Sequence, residues 1–251
     1  MVTNNDRVFT PLTTPYLTYN KREGERLESN VKHNLEVGGK IIVLSGPSKI
    51  GKTVLIKKVI DEDKRIILEG GDLKSVEDLT LRMIQKLSKI PNEITKIESI
   101  NSNANIDGSA SLGAKFWNWA YLRISTKAGS SVNAKHEMIF GDDPFERVTH
   151  YMLDRGYTLV IDDFHYIDGT VQREIIRKLK APLSEGMKVV FALIPSRTEV
   201  VIQQEPDMSF RTKVLNVPLW SDDELRYISD RGFEALNTSV ESTIIDKFVE
   251  K

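Results

Sequence analysis

Two kinds of apolar pattern alternate along the chain. Short, nearly unbroken apolar runs end in polar or glycine-rich turns, and longer stretches repeat apolar residues every three to four positions. The short runs are Ile41-Ile42-Val43-Leu44 with Lys40 before them, Arg65-Ile66-Ile67-Leu68-Glu69, and residues 157–161, 188–194 and 213–217. Such runs between turn signals mark strands covered on both faces. The longer stretches predict helices over 21–37, with Leu27, Val31 and Leu35 on one face, over 52–60, from about 75, over 144–155 and 171–180, and from about 198. In the helix from 75 the apolar face is Val76, Leu79, Met83, Ile84 and Leu87. Five strands alternating with helices predict an α/β fold built on a parallel sheet.

Turn chemistry divides these elements. Gly38-Gly39 ends the first helix, Asp61-Glu62-Asp63-Lys64 makes a charged turn, and Gly70-Gly71-Asp72 closes the second strand. Ser75-Val76-Glu77-Asp78 reads as a capping box with Asp in place of Glu, and Ser221-Asp222-Asp223-Glu224 as a full one opening a helix to about 236. Asn237-Thr238-Ser239 breaks that helix, and another over 240–249 is still periodic where the chain stops, as in a fragment of a longer protein. Residues 101–134 are rich in Asn, Ser, Gly and Ala around Phe116, Trp117, Trp119 and Tyr121. This reads as an insertion, in hairpin form, whose aromatic island either binds a partner or packs over the parent domain. The organisation is an extended lead-in over 1–20, one α/β domain over 21–218 with the insertion inside it, and a helical segment over 219–251.

The 251 residues suit one large α/β domain with a small appendage. The 35 basic and 36 acidic residues balance, so charge does not indicate nucleic acid or an anionic membrane, although a local basic patch stays open. With no cysteine, disulfides and Cys-ligated zinc are excluded, and the composition suits the cytoplasm. His33, His136, His150 and His165 show no ligand spacing. No stretch is apolar enough for a membrane span or a signal h-region.

Three features carry chemistry. Gly46-Pro47-Ser48-Lys49-Ile50-Gly51-Lys52-Thr53 matches the phosphate-loop pattern G-x-x-x-x-G-K-[ST] at every fixed position. Chance alone gives such a match in a chain of this length roughly once in a hundred. A strand pattern precedes it and Val54 begins the apolar run of a helix, the context the motif requires. Backbone N–H groups of the loop and the helix N-terminus are expected to face phosphate oxygens, Lys52 to reach the β- and γ-phosphates and Thr53 to sit on Mg²⁺, the alternative being a glycine-rich turn with an incidental Lys-Thr. Next, Tyr157-Thr158-Leu159-Val160-Ile161-Asp162-Asp163 is a buried strand whose tip carries two carboxylates. Asp162 is expected to bind Mg²⁺ directly or through water, and Asp163 to orient or deprotonate the attacking water. Third, the strand at 188–194 ends in Pro195-Ser196-Arg197. Either Ser196 and Arg197 reach the γ-phosphate and Arg197 reports its presence, or Arg197 is a surface arginine after a strand. Arg211 reads as an arginine finger, an interface residue or a plain surface residue. His165 and Tyr166 face the nucleotide, the next subunit or their own loop. Val217-Pro218-Leu219-Trp220 reads as a core anchor.

With these residues placed, the chain resembles the additional-strand P-loop ATPases, more narrowly the STAND group and its AAA+ relatives among origin-recognition ATPases. Tyr19-Asn20-Lys21-Arg22-Glu23 is similar to the short motif before the nucleotide domain. Leu219-Trp220-Ser221-Asp222-Asp223-Glu224-Leu225 is similar to the start of the helical lid. Phe9-Thr10-Pro11-Leu12-Thr13-Thr14-Pro15 resembles the opening of bacterial STAND-like proteins of antiphage defence. The resemblance implies a five-stranded sheet in order 5-1-4-3-2, adenine held between the N-terminal segment and the lid, and a homo-oligomer that switches with ATP and ADP. Sensor and effector domains, or a partner protein, would lie outside this chain. Asp163 stands where many AAA+ motors carry Glu, which implies slow turnover. The alternatives are an AAA+ regulator acting on DNA and a nucleotide-binding scaffold with a degenerate site. A GTPase is disfavoured because no Asn-Lys-x-Asp signature occurs, and a small-molecule kinase by the paired acids.

Overall fold

Consecutive residues of a strand face opposite sides of a sheet, so the unbroken apolar runs require cover on both faces. A computed structural model of the chain, describing residues 8–9, 14–88, 143–197 and 206–250, shows that cover. Every residue of β1 (Ile41–Ser45) and β3 (Thr158–Asp162) is buried, as is β4 (Lys188–Leu193) after its first residue. Ile41, Val43, Leu159, Ile161, Val189 and Phe191 enter one apolar cluster, and Ile42, Leu44, Val160, Val190 and Ala192 the other. The first cluster is closed by α3 (Val76–Ser88), α4 (Pro144–Asp154) and α5 (Gly169–Ser184), and the second by α1 (Leu27–Val37) and α2 (Lys52–Val59). The edge strands β2 (Arg65–Glu69) and β5 (Thr212–Asn216) are only partly buried.

The sheet order is β2-β3-β4-β1-β5, which is 5-1-4-3-2 from the other edge, and every pair is parallel. This is the predicted fold class. Register sets Ser45 beside Leu193 and Asn216, and Glu69 beside Asp162, so all five strands release their chain at one edge. Ligands of open α/β sheets bind at that edge. Beyond β5, α6 (Asp222–Ala235) and α7 (Ser242–Val249) pack on each other.

Several boundaries differ from the sequence reading. The first helix starts at Leu27 rather than 21, because residues 21–26 carry no apolar face. Arg22 and Arg26 are left-handed around a short turn, Glu23–Glu25. The helix expected over 171–180 runs from Gly169 to Ser184, started by Asp168, whose carboxylate accepts from Thr170 N at 2.8 Å. At Ser75 the shorter Asp moves the box by one residue. Asp78 N donates to Ser75 Oγ, but the Asp78 carboxylate accepts from Lys74 N. Ser221 and Glu224 form the full box as expected. The aromatic insertion over 101–134 and the helix from 198 lie outside the described residues. No described helix is long and apolar enough to cross a membrane.

Candidate functional site

The loop after β1 is shaped by glycine where backbone meets backbone. A Cβ on Gly46 would lie 2.6 Å from Val217 O, and Gly51 holds a φ of 97° at the head of α2. Lys49 is left-handed as well, with φ 62°. Ile50 is buried in the second cluster and roots the loop in the core. Pro47, Ser48 and Lys49 lie on its outer side.

Lys52 is 6% exposed and curls over its own loop, donating to Gly46 O at 2.8 Å and Pro47 O at 2.7 Å. Burial pushes its amine down, against the upward pull of Asp163 and Asp162. Thr53 Oγ1 donates to Asp162 Oδ2 at 2.5 Å, joining residues 109 apart. Asp162 is 6% exposed, and its other oxygen accepts from Asp163 N at 3.0 Å. A hydroxyl beside a buried carboxylate is the hard-oxygen donor set that Mg²⁺ accepts together with phosphate oxygens and water. The residues therefore fit the ion. No described group of three or more His, Cys, Asp or Glu is arranged to hold a metal by itself.

Asp163 leaves the strand in the left-handed region, φ 50° and ψ 42°, which turns its half-exposed carboxylate away from the line of β3. Gly70 makes that turn possible, since a Cβ there would lie 2.4 Å from Asp163 O. β4 lies between β1 and β3, so the helical turn carrying Ser196 and Arg197 emerges between the phosphate loop and the acids, with both residues exposed. His165 sits beside Asp163, and its protonation is lowered by burial, with Lys52 and Arg197 adding to the effect and Asp163 opposing it. The three sequence features thus share one edge.

Arg211 stands apart. It precedes β5 at the opposite edge of the sheet and bonds Ser184 Oγ and Lys180 O. Trp220 packs on the second cluster, as the anchor reading holds, but it also lines a cavity of about 490 Å³ beside the phosphate loop. Gly51, Val54, Tyr19, Arg22 and Phe248 share that cavity. Arg22 joins its two sides: the guanidinium bonds Glu224, Pro218 O and Leu219 O and lies 4.4 Å over the Trp220 ring.

Sequence reasoning missed two contributors at this edge. Glu69 ends β2 next to Asp162, and burial, then Asp162, Asp163 and Asp72, push its carboxyl up. Its position after Leu68 at a strand tip was the available signal. Gly70 was visible only as a turn residue.

No protein-family model matches the chain, and no curated protein matches it. Among solved structures it is similar to the Walker-type ATPase PABY2304 of Pyrococcus abyssi, with 13% identity, a TM-score of 0.61, and coverage of 93% of this chain and 66% of that one. Cdc6p of Pyrobaculum aerophilum matches with 13% identity, TM-score 0.48, and coverage of 94% and 55%. The ORC2 protein of Aeropyrum pernix, in ADPNP–ADP complexes, matches with 13% identity, TM-score 0.49, and coverage of 92% and 55%. The chain therefore spans between about half and two thirds of the length of these proteins. At this distance the first likeness speaks for the fold, which is that of the P-loop ATPases.

Proposed function

We propose that this chain is a Mg²⁺-dependent ATP-binding switch of the STAND kind. It hydrolyses ATP slowly, assembles with copies of itself according to the nucleotide bound, and acts in the cytoplasm in bacterial antiviral defence. The observation that carries the reading is the Thr53–Asp162 contact, which fastens the phosphate loop to the acid-tipped strand with Asp163 immediately beside it.

Lys52 gives up the carbonyls of residues 46 and 47 for β- and γ-phosphate oxygens, and the loop amides at 48–53 cradle the phosphates. Thr53 and Asp162 would hold Mg²⁺, which neutralises charge on those phosphates. Asp163 orients the water and accepts its proton; its side chain is one methylene shorter than the usual Glu, which slows the step. Arg197 reads the γ-phosphate through charge-assisted hydrogen bonds, with Ser196 beside it. The base enters the cavity between the N-terminal segment, Val54 and Trp220, so nucleotide binding bears on the α6–α7 lid. Sensor and effector functions belong to further domains or a partner.

Light scattering after size exclusion, with ADP, ATP and a non-hydrolysable analogue, tests the switch. Larger assemblies with ATP or the analogue than with ADP are expected, and one size throughout would refute it. DNA retention that weakens with salt would assign the site to an AAA+ regulator acting on DNA instead.

A further inference from the structure

His165 is a buried group beside the acids with no part in the steps assigned to Lys52, Thr53, Asp162 and Asp163. Its side chain is 7% exposed, and Nδ1 has no hydrogen-bond partner among the described residues. A buried polar atom without a partner is unfavourable, and natural proteins keep few of them. The nearest carboxylate oxygen is Asp163 Oδ1 at 4.0 Å, about 1 Å beyond an N–H···O bond.

The local chain fixes the ring and leaves the carboxylate half-exposed. Asp163 O accepts from Tyr166 N at 2.9 Å, closing the turn Phe164–Tyr166. Phe164 is fully buried and stacks on Phe191 at 4.0 Å, and Gln172 Nε2 bonds the carbonyls of Phe164 and Ile167. The Tyr166 ring lies against the imidazole at 4.2 Å. The Asp163 side chain is 46% exposed, so a rotation that closes the gap to Nδ1 moves it through solvent.

We propose that His165 is a positioning residue whose Nδ1–H donates to Asp163 Oδ1 and fixes the carboxylate for the attacking water. The inference rests on the role of Asp163 in hydrolysis. It explains how a short acid keeps its aim: the pre-set ring supplies the restraint that a longer side chain gains by reach. Burial favours the neutral ring, whose single N–H this bond would place on Nδ1.

The test compares single-turnover ATP hydrolysis and ATP affinity in His165→Ala, His165→Leu and His165→Asn, each also combined with Asp163→Asn. Hydrolysis is expected to fall about tenfold or more in the alanine and leucine variants. Affinity should stay within about twofold, and asparagine, whose amide reaches the place of Nδ1, should restore most of the rate. In the Asp163→Asn background the His165 changes should cost nothing further. A loss that asparagine does not rescue, or one that persists undiminished beside Asp163→Asn, overturns the proposal. Wild-type turnover in Asp163→Asn alone removes the role of Asp163 itself, a separate and visible failure.

Discussion

Replacing Arg22 with alanine removes the side chain that ties the N-terminal segment to the start of α6. The guanidinium donates to both Glu224 oxygens at 2.9 and 3.1 Å, to Pro218 O at 2.9 Å and to Leu219 O at 2.8 Å. Arg22 and Glu224 side chains are 5% and 18% exposed, so the pair lies largely out of water. Breaking a buried pair from one side costs about 3–5 kcal/mol. Glu224 keeps its bond from Ser221 N and some contact with solvent, which places the expected loss near the lower end, about 3 kcal/mol. For a chain of this size that is a fall of roughly 6–12 °C in the unfolding midpoint. Thermal unfolding of Arg22→Ala, Glu224→Ala and the double variant gives the coupling directly. The double variant should lose much less than the sum of the singles. A loss below about 1 kcal/mol, or simple additivity, would refute the anchoring role.

Further outcomes follow from the same geometry. Gly70→Ala should abolish most hydrolysis, because its Cβ meets the Asp163 carbonyl at 2.4 Å and backbone must move; single-turnover assays check it. Gly232→Ala should expel the Phe9 ring, whose Cζ would lie 2.2 Å from the new Cβ, and raise the susceptibility of α6 and α7 to limited proteolysis without displacing the sheet. Arg197→Ala should bring the ATP and ADP affinities together, measured by calorimetry. Burial raises the Glu224 carboxyl, but the bonds from Arg22 and Ser221 outweigh it, so the net shift is downward. Its stabilisation is present above the ordinary glutamate value of about 4.3 and lost as pH falls through the folded value. The midpoint gap between wild type and Arg22→Ala should therefore narrow in acid.

What the sequence reveals here follows the range of the forces involved. β1, β3 and β4 are legible because burial on both faces leaves no polar residue inside them. The phosphate loop is legible because its chemistry is local, and Asp162-Asp163 becomes so once the loop is known. Arg22 was visible only as part of a short motif, since its partner Glu224 lies 202 residues away. The sequence reading carried the helix through 21–26, where the structure instead holds Arg22 and Arg26 left-handed. Gly70 looked like an ordinary strand-ending glycine because its reason is the Asp163 backbone, brought beside it only by the pairing of β2 with β3. Asp163 itself was legible as an acid, whereas its left-handed turn depends on that pairing.

The most direct measurement is Mg²⁺-ATP affinity together with single-turnover hydrolysis in wild type, Lys52→Ala and Asp163→Asn. The account predicts slow turnover in wild type, weak binding in Lys52→Ala, and retained binding with little hydrolysis in Asp163→Asn. ATP bound equally by wild type and Lys52→Ala, or undiminished turnover in Asp163→Asn, would contradict it.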